Sequence, residues 1–184
     1  MPTQAPPNTH DQPESVSLRL ATADDLAEIC RVEHAADTRF ADIGLQCVLD
    51  APQAQPEDHA EAQQDGRLIV AESRSGGLVG FARIDVVDGA AHLEQVSVAP
   101  SAAGQGVGAV LIRAAERWSR DHGYDRMTLC TYRDVPWNAP YYQRLGWRPL
   151  DDAELGTGLR GLREHEKELG LEVSPRLAMV KELS

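Results

Sequence analysis

The sequence is short of cysteine, of aromatic residues, of long hydrophobic runs and of positive charge, and each shortage narrows what the chain can be. Its three cysteines, Cys30, Cys47 and Cys130, are an odd number without paired spacing, so neither a disulfide framework nor a thiolate metal site is indicated. His10, His34, His59, His92, His122 and His165 show no metal-ligand spacing either, and no metal is expected. No segment approaches the roughly eighteen apolar residues that cross a bilayer, and the start of the chain lacks the basic and apolar blocks of a signal peptide. The expected location is therefore cytoplasmic, with no membrane partner. A formal charge of −11 repels a phosphate backbone, which excludes nucleic-acid binding through a broad basic surface. Cationic small molecules or basic peptides suit such a surface better.

What is present begins with size. A chain of 184 residues can bury the core of one domain. Pro2, Pro6, Pro7 and Pro13 lie among polar residues with no apolar period, so residues 1–15 read as a flexible tail and residues 16–184 as a single domain. Val16 to Leu20 alternates as a strand, and Thr22 with Asp25 resembles a helix cap before a helix over residues 24–36. A loop with a short helical piece follows to Pro56, then a helix over residues 56–64 ended by Gly66. Leu68 to Ala71, Leu78 to Val87 and Ala91 to Ala99 read as an antiparallel meander, with Asp88-Gly89 as a hairpin turn. Beyond Pro100 the pattern changes. Val107, Val110, Leu111, Ala114, Ala115 and Trp118 form an apolar helical stripe, and Met127 to Cys130 a strand parallel to the one before it. A short helix, a strand at residues 147–150, a further helix through Glu168 and a last strand at residues 177–180 complete the order.

The most informative run joins the last strand of the meander to the striped helix: Val98-Ala99-Pro100-Ser101-Ala102-Ala103-Gly104-Gln105-Gly106-Val107-Gly108. Alternate glycines let backbone N–H groups converge at a helix start, which makes an anion site. A nucleoside triphosphate loop needs Lys and Ser or Thr after its glycines, and Ala109-Val110 stand there instead. A dinucleotide fingerprint needs different spacing and a parallel unit in front. Taken alone, the glycines are also compatible with a tight turn that merely brings helix and sheet together.

The run resembles the cofactor loop of the GCN5-related N-acetyltransferases, whose pattern of Gln or Arg, x, x, Gly, x, Gly or Ala aligns with Ala103 to Gly108. The resemblance implies an acyl-coenzyme A N-acyltransferase fold of mixed α/β type, with a central, mostly antiparallel sheet of about seven strands and flanking helices. It also implies acetyl-coenzyme A as co-substrate. The backbone at Val96 and Val98 would pair with the pantetheine arm, and Ala103, Gly104, Gln105, Gly106, Val107 and Gly108 would hold the pyrophosphate. Ala103 departs from the pattern, because the family prefers Gln or Arg there, and weaker cofactor affinity is expected.

A second run, Trp137-Asn138-Ala139-Pro140-Tyr141-Tyr142-Gln143-Arg144-Leu145-Gly146-Trp147, resembles the family's late motif. On that comparison Asn138 contacts the cofactor arm and Tyr142 sits near its sulfur as the general acid, while Tyr141 packs. Acetyl transfer to an amine also asks for a base. Glu94 is the leading candidate, since regular pairing would put Glu94, Val96 and Val98 on one face of their strand, and His92 is a secondary one. For the acceptor, the family's pocket positions correspond to Phe40, Trp137 and Tyr141 as an aromatic wall and Asp42, Asp85 and Asp134 as cation holders. The implied reaction moves an acetyl group onto a primary amine of a small molecule or peptide. The competing readings are a non-catalytic acyl-coenzyme A sensor and an enzyme with a longer acyl donor. A homodimer is the favoured assembly.

Overall fold

The computed structural model describes residues 16–183, so the expected tail over residues 1–15 lies outside the described residues. Its strands are β1 (Val16–Leu20), β2 (Leu68–Ser73), β3 (Leu78–Val87), β4 (Ala90–Val98), β5 (Arg126–Tyr132), β6 (Arg148–Pro149) and β7 (Arg176–Glu182). They form one seven-stranded sheet in the order β1-β2-β3-β4-β5-β7-β6. The helices are α1 (Leu26–Asp37), α2 (Gln46–Asp50), α3 (Pro56–Gln64), α4 (Val107–Asp121), α5 (Ala139–Arg144) and α6 (Thr157–Glu168), with short 3₁₀ turns between several of them. The sheet is mixed and mostly antiparallel, as expected.

One expectation about it needs correcting. The sequence pattern suggested a parallel rear half, yet β4 and β5 are paired in parallel only at Ala91↔Met127 and His92↔Thr128. Strand β5 runs antiparallel to β7 along its whole length, from Arg126↔Glu182 to Tyr132↔Arg176. The last strand inserts beside β5 and makes the rear antiparallel as well, a pairing between distant segments that local patterning does not encode.

The elements follow from residue pattern and packing. Helix α4 buries Val107, Val110, Leu111, Ile112, Ala114 and Ala115 on the face toward the sheet. Val107, Leu111, Ile112, Ala114 and Ala115 of that stripe pack with Ile69, Ala82, Ile84, Ala91, Leu93 and Met127 in the largest apolar cluster. Each fully buried Leu or Ile side chain there contributes about 1.5–3 kcal/mol. On the opposite side Leu26, Ile29 and Val32 of α1 meet Leu68, Val70 and Phe81. The turn at Asp88-Gly89 uses left-handed backbone at both residues, φ 51° and 73°, as a tight two-residue hairpin requires. The Asp88 carboxylate then accepts N–H groups of Gly158 at 2.7 Å and Leu159 at 2.9 Å, so the hairpin caps α6.

Two irregularities in β4 shape the middle of the sheet. Ile84 pairs with Leu93 and Arg83 with Gln95, which leaves Glu94 as the extra residue of a β-bulge. Past the bulge β4 and β5 no longer pair. The sheet is thereby split, with Gln95 to Val98 on one lip and Leu129 to Tyr132 on the other.

Candidate functional site

Backbone geometry determines what the split exposes. Ala99 donates its N–H to the Val79 carbonyl at 2.8 Å, while Gly80 stands opposite Val98 and Ala82 opposite Val96. In an antiparallel ladder that alternation makes Val98 and Val96 non-hydrogen-bonded partners of β3, so their own N–H and C=O groups face away from β3 and toward the split. An extended chain laid there would find main-chain partners.

The glycine loop closes one end of this cleft. Gly104 and Gly106 take left-handed backbone, φ 74° and 80°, which a side chain would strain. The first helical bond of α4 runs from the Val110 N–H to the Gly106 carbonyl at 3.2 Å. Among the described residues the amides of Gly104, Gly106, Val107 and Gly108 have no backbone acceptor, so they remain available to an anion at the positive end of the helix. Gln105 is tied down instead, donating from Nε2 to the Ser101 carbonyl at 3.0 Å, and Ala103 adds no polar side chain.

Helix α5 forms another wall. The Asn138 side-chain amide donates to Thr131 Oγ1 at 2.7 Å and anchors the start of α5 to β5. At its other end Lys181 Nζ reaches both Glu116 Oε1 and the Leu145 carbonyl at 2.8 Å, binding α5 to α4 and β7. Tyr142 is held between Tyr141 and Trp147, each ring centroid 5.9 Å away in an edge arrangement. Burial raises the Tyr142 phenol above its ordinary pKa, with the Tyr141 phenol adding to it, so the hydroxyl keeps its proton at neutral pH.

The cleft encloses about 630 Å³, and its lining includes β4 from Leu93 to Val98, the glycine loop, Tyr132, Asn138 and Tyr142, a size suited to a small ligand. Glu94 is on this lining, but the bulge changes its partners. It shares a face with His92, whose Nε2 is 3.5 Å from Glu94 Oε2, and with Gln95 opposite Arg83, whereas Val96 and Val98 face the α4 side with Ala82 and Gly80. The expectation that Glu94, Val96 and Val98 share one face is therefore overturned. About 39% of the Glu94 side chain is exposed, and the residue is part of the cleft lining. Burial pushes its carboxyl above the ordinary range, Asp85 and Glu166 push the same way, and Arg83 and Arg176 oppose them.

At the acceptor end the structure keeps part of the expected wall. Phe40 and Trp137 come together, ring centroids 5.9 Å apart, joined by Tyr132 at 5.8 Å from Phe40. Tyr141 does not join them. Its hydroxyl lies against the glycine loop, where a Cβ on Gly108 would meet it at 3.4 Å. The three carboxylates expected to hold a cation are not brought together. Asp85 is neutralised by Arg67 at 2.8 Å and Arg83 at 3.1 Å. Asp134 is exposed and paired with Arg133 at 2.9 Å, and neither Asp134 nor Asp42 lines the cleft.

Other residues take those places. Glu33, Asp37 and Phe40 lie along one side of α1 and the turn after it, and Arg39 stacks its guanidinium 3.9 Å above the Trp137 ring. Burial, helped by Glu33, pushes the Asp37 carboxyl up to about 7. Arg176 stands over the Tyr132 ring at 4.4 Å and is held by Glu166 at 2.7 Å. The spacing of residues 33, 36, 37 and 40 was a helical signal that could have pointed to this wall. Arg176 and Tyr132 arrive from separate strands and carried no such signal. Cys130 also lines the cleft, its thiol pushed up to about 12 by burial, so it is protonated and a poor nucleophile at neutral pH.

Among the described residues no cluster of three or more His, Cys, Asp or Glu could hold a metal ion, and no helix is long and apolar enough to cross a membrane.

Comparison with known proteins places this arrangement. The model of the acetyltransferase (GNAT) family matches residues 31–147, well over half of the chain. Among solved structures, N-acetylglutamate synthase from Neisseria gonorrhoeae, complexed with coenzyme A and N-acetyl-glutamate, superimposes with a TM-score of 0.67 at 17% identity. That match covers 92% of this chain and only 35% of the synthase. The PaiA N-acetyltransferase from Thermoplasma acidophilum, in complex with coenzyme A, gives 0.66 at 15% identity over 91% of this chain and 99% of its own. The ribosomal-protein-S18-alanine N-acetyltransferase from Escherichia coli gives 0.63 at 18% identity, covering 92% of this chain and 94% of that one. At such identities the structural likeness shows a shared fold.

Proposed function

The chain belongs to the acetyltransferase (GNAT) family, and from that premise we propose that it moves the acetyl group of acetyl-coenzyme A directly onto a primary amine of a small molecule or peptide. The observation that carries this reading is the cleft itself, with loop amides that have no backbone acceptor among the described residues at one end and Glu94 and Tyr142 both on its lining.

In this reading the amides from Gly104 to Gly108 hold the pyrophosphate, and the outward backbone of Val96 and Val98 holds the arm as an added strand would. Acetyl-coenzyme A supplies the activated thioester. Asn138 is engaged with Thr131, so its part is to fix α5 as much as to touch the arm. The acceptor must arrive as a neutral amine, and a free lysine-like amine has a pKa of about 10.4. Glu94 takes its proton, and the upward shift of that carboxyl strengthens it as a base near working pH. In this reading a backbone amide near Val98 stabilises the carbonyl oxygen as it gains charge.

Tyr142 holds the proton meant for the departing sulfur. A phenol with a raised pKa is a reluctant donor, but a thiolate left in the same cleft suffers the same desolvation. Burial pushes the Cys130 thiol on the same lining up to about 12, the direction that desolvation gives any thiol there. A released thiolate therefore draws the proton strongly.

The aromatic wall of Phe40, Trp137 and Tyr132, with Asp37 and Glu33 beside it, favours an acceptor whose amine is attached to an apolar body. The test is release of free coenzyme A from acetyl-coenzyme A across polyamines, amino acids, aryl-alkyl amines and peptides. Turnover confined to one amine class supports the reading. Tight binding of acetyl-coenzyme A with no turnover on the whole panel would instead favour a sensor or a longer acyl donor.

A further inference from the structure

Behind Glu94 stands a buried imidazole that the proposed chemistry has not used. His92 is only 2% exposed, and its two nitrogens have different partners. Nδ1 lies 2.8 Å from Thr128 Oγ1, and Nε2 lies 3.5 Å from Glu94 Oε2. The Thr128 hydroxyl donates in turn to the Ala91 carbonyl at 3.5 Å. A hydroxyl has a single proton, so one that is directed at Ala91 leaves Oγ1 only lone pairs for the ring. With the hydroxyl so directed, His92 carries its proton on Nδ1 and the lone pair of Nε2 faces the carboxyl of Glu94, whereas a hydroxyl turned to Nδ1 would put Nε2–H there instead.

Burial makes this asymmetry durable. It depresses the His92 pKa to about 4, so the ring is neutral at neutral pH. The β-bulge supplies the geometry, since it leaves Glu94 on the His92 face of β4. The other charged groups that face this pair are Arg83 and Asp85 on β3, Asp88 in the hairpin, Glu166 on α6 and Arg176 on β7. Four of them are already engaged in two pairs, because Glu166 holds Arg176 at 2.7 Å and Arg83 is bound to Asp85 at 3.1 Å. None of these contacts supplies a neutral acceptor. His92 does.

We infer that His92 is a positioning residue whose unprotonated Nε2 accepts a hydrogen bond from Glu94 once Glu94 has taken the proton of the amine. The proton moves from the amine nitrogen to a Glu94 oxygen, and the new O–H points at Nε2, with no net charge placed on the ring. The 3.5 Å separation is long for a hydrogen bond and closes with a small rotation of the half-exposed Glu94 side chain, as contacts of this kind tighten in the working complex. The chain Ala91, Thr128, His92 and Glu94 thus sets how strongly the base holds its proton. This inference rests on reading Glu94 as the base.

The test needs no acceptor amine. In the intact protein, ¹⁵N spectra of the His92 imidazole at neutral pH should show Nδ1 protonated and Nε2 bare. The Glu94 carboxyl, followed by ¹³C, should titrate about one pH unit lower in His92→Asn than in the parent. Asn can keep a bond to Thr128 while putting nothing at the position of Nε2. A protonated Nε2 in the parent, or a Glu94 titration that stays put or moves upward in the variant, overturns the inference. If His92→Asn does not fold, the parent imidazole spectrum decides alone. Undiminished turnover by Glu94→Gln would remove the base role while leaving these spectra as they are, so the two failures are told apart.

Discussion

The two ends of the cleft are made of different material. The loop end is main chain: amides of Gly104, Gly106, Val107 and Gly108 with no backbone acceptor among the described residues, and the outward backbone of Val96 and Val98. The other end is side chain, gathered from α1 with its turn, β4, β5, the segment before α5 and β7. A site of amides should tolerate change in side chains, such as Ala103, provided the backbone path survives. A site of side chains depends on where each element is placed. Substitutions at the loop should therefore act on binding of acetyl-coenzyme A, and those at the other end on turnover and on pH response.

The largest effect should come from Glu94→Gln, a loss of about 10³-fold in kcat with the Kd of acetyl-coenzyme A unchanged. A parallel loss of acetyl-coenzyme A affinity in calorimetry would break the division between the two ends. Tyr142→Phe should lower kcat by roughly 10²-fold, again with little change in Kd; retention of full kcat would remove the proton from Tyr142 and leave it a packing residue. Gly106→Ala places a side chain at φ 80°, which costs about 1–2 kcal/mol if the loop holds its path. Acetyl-coenzyme A should then bind about tenfold more weakly, with kcat at saturation kept. A variant that binds normally would show that the loop amides matter less than the helix start.

Asp37→Asn sharpens the comparison through pH. The folded carboxyl titrates near 7 against an ordinary value of 3.8. Between those values the folded chain binds more protons than the unfolded one, so stability falls as pH rises through that window. Removing the carboxylate should leave Tm nearly unchanged below pH 4 and raise it by about 2–4 °C above pH 8. A variant destabilised at both pH values would mean that Asp37 makes a structural bond instead. The smallest effect belongs to Ala103→Arg, which restores a long polar side chain beside the loop and should tighten acetyl-coenzyme A binding about threefold. No change in Kd would show that the backbone alone does the binding.

How far the sequence reached follows the same division. The boundaries of β1, β3 and α3, the left-handed hairpin at Asp88-Gly89 and the buried stripe of α4 were legible because each depends on residues a few positions apart. The glycine loop was legible for the same reason. The grouping of these side chains was legible only in part: Phe40 and Trp137 meet, but Tyr141 lies at the loop, and Asp85 is occupied by Arg67 and Arg83. Arg67 is brought to Asp85 by the pairing of β2 with β3, which is a long-range contact.

What the sequence by itself determined is a chain with a glycine-rich loop between a strand and an amphipathic helix, and an aromatic-rich short helix downstream of it. Those properties are written in local spacing and in glycine's access to positive φ. What only the tertiary structure decided is where β4 stops pairing and which residues face the opening. The bulge at Glu94 turns that carboxyl toward His92 and away from the Val96 and Val98 face, and a one-residue slip reverses every later side chain in a strand. Partners in register across a sheet, and not neighbours along the chain, fix that choice.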